Sequence, residues 1–339
     1  MAEPRRWHLF ISVIKMLVGV FIVLGIIIGL QLIIGYMQVK GTPAGWQIIR
    51  PPSEVYTLLI ENNTIWTGGK DGIILIDRQS GQPRPLPGSP PSFGYVRAII
   101  RDRQGTFWIG HDGGLVQYRN NSWVVVAPQM DIPFITILSL IERRDGTIVV
   151  GTVQNIFAYD GTGWRSLLTP TAPAIASADD LFEDNEGNLW VGCISPTRGG
   201  LYRLNGTTWE SFTGSNGLLH ESSWMVMQAR DGTVWVASGF ANAGGAALFR
   251  NGTWTGITKK DGLAGESTRL VYQDRFGRMW VGSEYNGIAV LENGTWHVLD
   301  VKDGLAGHEV KIMAEDQDGI YWLGTNGGLT RIMQGPQFS

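Results

Sequence analysis

The sequence predicts an all-β fold, a seven-bladed β-propeller preceded by one N-terminal transmembrane helix. Three observations carry that expectation. A unit recurs seven times at spacings of 41 to 45 residues, each unit holds four short apolar or aromatic runs, and one unbroken apolar stretch of helix length lies near the N-terminus.

Met16 to Met37 reads MLVGVFIVLGIIIGLQLIIGYM, with Gln31 as its one strongly polar residue. At about 1.5 Å of rise per residue, a helix of this length spans a hydrocarbon core about 30 Å thick. A secretory leader has an apolar region of roughly 7–15 residues and a small-x-small cleavage site. Here QVKGTPAGW follows, so an uncleaved anchor is expected. Arg5, Arg6 and Lys15 precede the span, and only Lys40 closely follows it. Because basic residues stay on the cytoplasmic side, residues 1–15 are expected in the cytoplasm, 16–37 in the membrane and the bulk of the chain outside the cytoplasm. Residues 38–43 are then a linker, 44–333 the propeller and 334–339 a tail. Gly25 and Gly29 form a G-x-x-x-G, a spacing that lets membrane helices approach closely, so a homodimer through them stands beside a lone anchor.

The residue that precedes the recurrent Val-Gly pair or its equivalent gives a ruler for the repeat: Trp66, Trp108, Val149, Trp190, Trp235, Trp280 and Trp322. Within one unit the runs RLVYQ, RMWVG, GIAVLE and TWHVL are separated by DRFG, SEYNG and ENG. No run reaches the roughly 10–12 residues of a helix, so each unit reads as a four-stranded antiparallel meander. Glycine three residues before the marker, as at Gly105 and Gly277, suits a tight turn with positive φ. Glycine two residues after it, as at Gly110 and Gly282, lies inside a strand where a missing side chain admits a neighbouring sheet. NGTW at Asn251 and Asn293, NGTTW at Asn205, and the site at Asn62 match the N-glycosylation sequon, but Asn-Gly between apolar runs is first a hairpin signal.

The last unit ends at MQGPQFS without the Trp-led fourth strand seen at Trp123, Trp164, Trp209, Trp254 and Trp296. GWQII, Gly45 to Ile49, supplies such a strand ahead of the first unit, so the N-terminal strand is expected to complete the last blade and close the ring. Prolines in DRQSGQPRPLPGSPPS leave the outer edge of the first blade irregular.

With the repeat laid out, VRAIIRDRQGTFWIGHDGGLVQY, Val96 to Tyr118, combines a V-x-x-I strand, a D-x-x-G turn, a W-I-G strand and a G-G-L strand. Together with DGLAG-x-E and GTNGGLTRI, these motifs make the chain resemble the two-component regulator propeller repeat family over about residues 44–333. The resemblance implies an extracytoplasmic, ligand-sensing propeller of the kind attached to histidine kinases or related regulators. Nothing in this chain looks like a phosphoacceptor helix or a nucleotide-binding segment. Phosphotransfer is therefore not carried over, and output is expected to pass through the anchor or a separate kinase or regulator.

Composition narrows the function. The 339 residues include 46 Gly and 14 Trp, with 17% charged residues, which fits a folded, turn-rich chain. A formal charge of -3 gives no basic surface for nucleic acid. The single Cys193 excludes an intramolecular disulfide framework.

Repeated residues are framework, so function is sought where equivalent positions differ. The second residue of each innermost strand is Tyr56, Arg97, Leu138, Asp179, Trp224, Arg269 or Lys311. Three bases, one acid and two aromatics suggest a pocket for an anionic or sugar-like small molecule or glycan, or for an envelope protein, unless a solvated channel wall merely tolerates variety. Loops expected on the same face add His111, Arg198, His220, Tyr285 and His308. The histidines, with Glu221 and Glu309 beside two of them, keep open an anchored lyase or glycosidase, and a purely structural platform is a third reading. No cofactor or metal is expected, because ligands on separate blades converge poorly and no G-x-S-x-G, H-E-x-x-H or phosphate-binding glycine loop is present.

Overall fold

The computed structural model describes residues 43–126, 136–170, 172–195, 198–333 and 335, together with Leu17, Leu24 and Gly25. The chain divides into a unit Met1–Pro43 and a compact unit Ala44–Ser339. In the first, Leu17, Leu24 and Gly25 are helical, and the rest of the expected membrane helix over 16–37, Gly29 included, lies outside the described residues. Among the described residues no helix is long and apolar enough to cross a membrane.

The second unit is a seven-bladed propeller of four-stranded antiparallel sheets. Blades 1 to 7 span residues 57–84, 96–125, 137–166, 180–212, 223–257, 268–299 and 310–332. The seventh sheet takes its fourth strand, Trp46–Ile49, from the start of the unit, with Trp46 opposite Ile332 and Ile49 opposite Leu329. The outer strand of blade 1 is only Pro83–Arg84, in the proline-rich stretch, where a missing N–H removes a ladder bond.

A repeated aspartate and tryptophan explain how the inner hairpin closes in blades 2, 4, 6 and 7. Asp102, Asp184, Asp274 and Asp316 accept from the indole Nε1 of Trp108, Trp190, Trp280 and Trp322 at 2.7–3.1 Å. Each carboxylate also caps the backbone of its own turn, as Asp274 does for the N–H groups of Phe276 and Arg278. The indoles of Trp190, Trp280 and Trp322 are fully buried with their one polar atom satisfied. Blade 3 lacks both partners at once, holding Arg143 and Val149 in their place.

Asp261 and Asp303 begin the duplicated DGLAG, and each ends a single 3-10 turn whose preceding backbone N–H, of Thr258 or Asp300, donates to that aspartate. Gly262 and Gly304 close the turns at φ 118° and 112°, which glycine adopts without penalty. Leu263 and Leu305 are then buried between blades. The duplicated motif is a staple of the scaffold.

At the opposite end, that of the D-x-x-G turns, arginines at the position after the aspartate or its equivalent reach the next blade. Arg103 Nη1 donates to the Arg144 carbonyl, Arg144 Nη2 to Asp184, and Arg230 Nη2 to Asp274, at 2.6–2.7 Å. Arg78 joins blade 1 to Asp316 and Asp318 of blade 7.

Candidate ligand-binding site

The strand glycines position the site. A Cβ on Gly68, Gly110 or Gly324 would fall 2.5–2.6 Å from Val96, Ile137 or Val55, and one on Gly282 would fall 2.5 Å from the Val310 carbonyl oxygen. The missing side chain thus receives the residue that opens the next blade's inner strand. Val55, Val96, Ile137, Ala178, Ser223, Thr268 and Val310 are all buried against the preceding blade. The residue after each one belongs to the set of seven varied positions.

Five of those seven sit in a break of register. Pairing skips Arg97, Leu138, Trp224, Arg269 and Lys311, each time between the residue before and the residue after. Such a bulge re-aims one side chain off the sheet. Tyr56 and Asp179 instead stand just ahead of their strands, held by backbone N–H bonds to Gly68 and Gly192. All seven side chains line one axial cavity of about 510 Å³, a size suited to a small ligand.

Every base in the cavity already has an acid. Arg97 Nε lies 2.8 Å from Asp112, and Lys311 Nζ lies 2.8 Å from Glu54 and 3.0 Å from Glu309. Arg269 pairs with Glu284 and lies 3.2 Å from Glu309. Its guanidinium covers the Trp224 ring at 3.5 Å, and Trp224 Nε1 donates to the Gly239 carbonyl. The positive excess counted along the strand positions alone is therefore cancelled by acids from the connections.

Tyr56 meets Tyr95 edge-on at 5.5 Å, and the Tyr95 hydroxyl donates to Glu54 at 2.8 Å. Burial, followed by the charge of Asp179, pushes the Tyr56 phenol up to about 12. Asp180 also lines the cavity and accepts from the Val226 N–H at 2.7 Å; burial pushes its carboxyl up to about 7. Burial likewise raises Asp179, against a lowering by its bonds from Ser177 and Ile194 N–H and by Arg97.

The five loop candidates are placed elsewhere. His111 is buried, and its Nδ1 accepts from the N–H groups of Gly94 and Gly113, so it organises its own loop; burial holds its pKa low. His220 Nδ1 accepts from Ser222 N–H at 2.9 Å, and burial lowers it too. Arg198, Tyr285 and His308 are exposed at the rim. None of the five lines the cavity. Among the described residues no three His, Cys, Asp or Glu side chains are grouped so as to hold a metal ion. Cys193 is buried in the core between blades 3 and 4.

Residues 90–113 and 304–327 match the family model described as two component regulator propeller. The two matched stretches lead into and cover the inner hairpins of blades 2 and 7. No curated protein sequence matches it. Among solved structures, the repeats superpose on the extracellular domain assigned to a hybrid two component system of B. thetaiotaomicron, with a TM-score of 0.74, 16% identity and 87% of this chain covered. That alignment spans 42% of the other chain. A catalytically inactive virginiamycin B lyase from Staphylococcus aureus, with quinupristin, aligns at 0.63 and 12% identity over 84% of this chain and 98% of its own. YCF48 bound to D1 peptide aligns at 0.61 and 16% identity over 87% and 100%. At these identities the likeness is one of fold.

Proposed function

We propose that the chain is a membrane-anchored, extracytoplasmic recognition module that binds a small ligand in the axial cavity and signals through its anchor or a separate histidine kinase or regulator. The observation that carries this reading is the convergence of seven different side chains, five of them aimed by bulges, on one cavity. A scaffold needs neither the bulges nor the variety. The lyase reading gains nothing from the histidines, since His111 and His220 spend Nδ1 on backbone N–H groups and His308 lies at the rim. The test is calorimetric titration of the detergent-solubilised full chain with small sugars, amines and carboxylates. A binder whose affinity falls at least tenfold in Trp224→Ala is expected; a panel without any binder would refute the reading. Placement outside the cytoplasm is checked by adding a membrane-impermeant maleimide to intact cells carrying exposed Lys260→Cys. Labelling of this variant is expected, with the buried Cys193 of the parent silent, and labelling only after lysis would reverse the topology.

A further inference from the structure

Resting on that reading of the cavity, we propose that its ligand carries a cationic amine, and that the amine is held at Asp179 and Asp180 on the blade 4 wall. The argument is one of charge balance in an enclosed space. The cavity and the groups paired with it bring six carboxylates, Glu54, Asp112, Asp179, Asp180, Glu284 and Glu309, against the three bases Arg97, Arg269 and Lys311. Four of the acids are committed to those bases. Asp179 and Asp180 form no ion pair among the described residues, and their recorded partners are neutral: Ser177 Oγ and Ile194 N–H on Asp179 Oδ2, and Val226 N–H on Asp180 Oδ2. Each keeps a second oxygen with acceptor capacity to spare.

The rest of the cavity lacks a free anion or sugar platform. A carboxylate or phosphate would have to displace an acid from a paired base. A pyranose would have to compete with the Arg269 guanidinium for the Trp224 face, while Arg97 and Lys311 stand 6.0 and 5.6 Å from the Tyr56 ring centre. An ammonium group needs no such displacement. It supplies the missing countercharge to half-buried carboxylates, where a charge-assisted hydrogen bond is stronger than at an exposed surface. A volume of about 510 Å³ leaves room for a compact organic body behind the amine.

The experiment compares matched pairs that differ in the amine charge, glucosamine with N-acetylglucosamine and tyramine with N-acetyltyramine, by calorimetry on the solubilised full chain. At least one amine is expected to bind, at least tenfold more tightly than its acetylated partner. Asp179→Asn should weaken that amine at least tenfold. Arg97→Gln should tighten it several-fold, because Arg97 is the base whose charge acts on Asp179. The opposite signs separate a charge effect from damage to the fold, and the wild-type comparison stands even if a variant fails to fold. Equal binding of both members of each pair, or of a neutral or anionic probe alone, would overturn the cationic ligand while leaving the cavity as the binding site. Failure of all probes together with the wider panel would overturn both.

Discussion

The two ends of the propeller are built from the same strands and obey opposite rules. At the turn end, blades 2, 4, 6 and 7 repeat one device, an aspartate that caps its turn and clasps a buried indole, and arginines tie successive turns together. At the cavity end, no two of the seven positions facing the axis hold the same residue apart from the pair Arg97 and Arg269. The difference teaches that repeated residues carry the framework at both ends, through the clasps at one and the DGLAG staples at the other, and that only the positions facing the axis are free to diversify. The strand glycine links the two, since it seats the residue that aims the next cavity side chain.

The comparison is broken most directly at the clasp. Trp280→Ala removes a fully buried indole and leaves Asp274 without one of its donors, so a loss of about 3–5 kcal/mol is expected in urea denaturation. Val149→Ala, at the equivalent site of a blade without the clasp, should cost about 2 kcal/mol from its lost methyl groups alone. Equal costs would mean that the clasp adds nothing.

Gly282→Ala tests the link between the ends. Its methyl would collide with the Val310 backbone oxygen at 2.5 Å, and such overpacking costs about 1–3 kcal/mol. Because Val310 precedes Lys311, the ligand affinity should fall together with the denaturation midpoint. Stability lost without any change in binding would uncouple glycine from site.

The smallest effect is a pH slope at the cavity end. Asp180 is raised from an ordinary value near 3.8 to about 7, so the folded chain holds its proton more tightly than the unfolded chain does. The stability this contributes is complete below about pH 3.8 and is lost as pH rises through about 7, with a fall of about 1 kcal/mol between pH 6 and 8. Asp180→Asn should flatten that part of the profile, and an identical slope in the variant would assign the titration elsewhere.

Much of the scaffold was legible in the sequence because its signals are local. Trp66 to Trp322 keep register along the chain, and Asn251-Gly252 and Asn293-Gly294 both take positive φ, as the hairpin pattern demands. The role of the D-x-x-G aspartate as an indole acceptor was less visible, although its absence together with tryptophan in blade 3 is readable in hindsight. The bulges left no mark, since Arg97 and Arg269 look like ordinary strand residues. Nor could spacing reveal Glu54, whose partners Lys311 and Tyr95 lie on blades 7 and 2, or Asp180, which strand alternation would have sent away from Asp179. Pairing across blades reverses the charge balance expected from the seven positions alone.

The division of labour between the ends is tested most directly by ligand-induced thermal shifts of the full chain with the same panel of sugars, amines and carboxylates, comparing Asp179→Asn with Arg230→Ala. The account predicts that Arg230→Ala, at the turn end, lowers the melting temperature but keeps the ligand-induced rise. Asp179→Asn should abolish that rise with little change in the unliganded melt. A rise that survives Asp179→Asn and disappears in Arg230→Ala would contradict it.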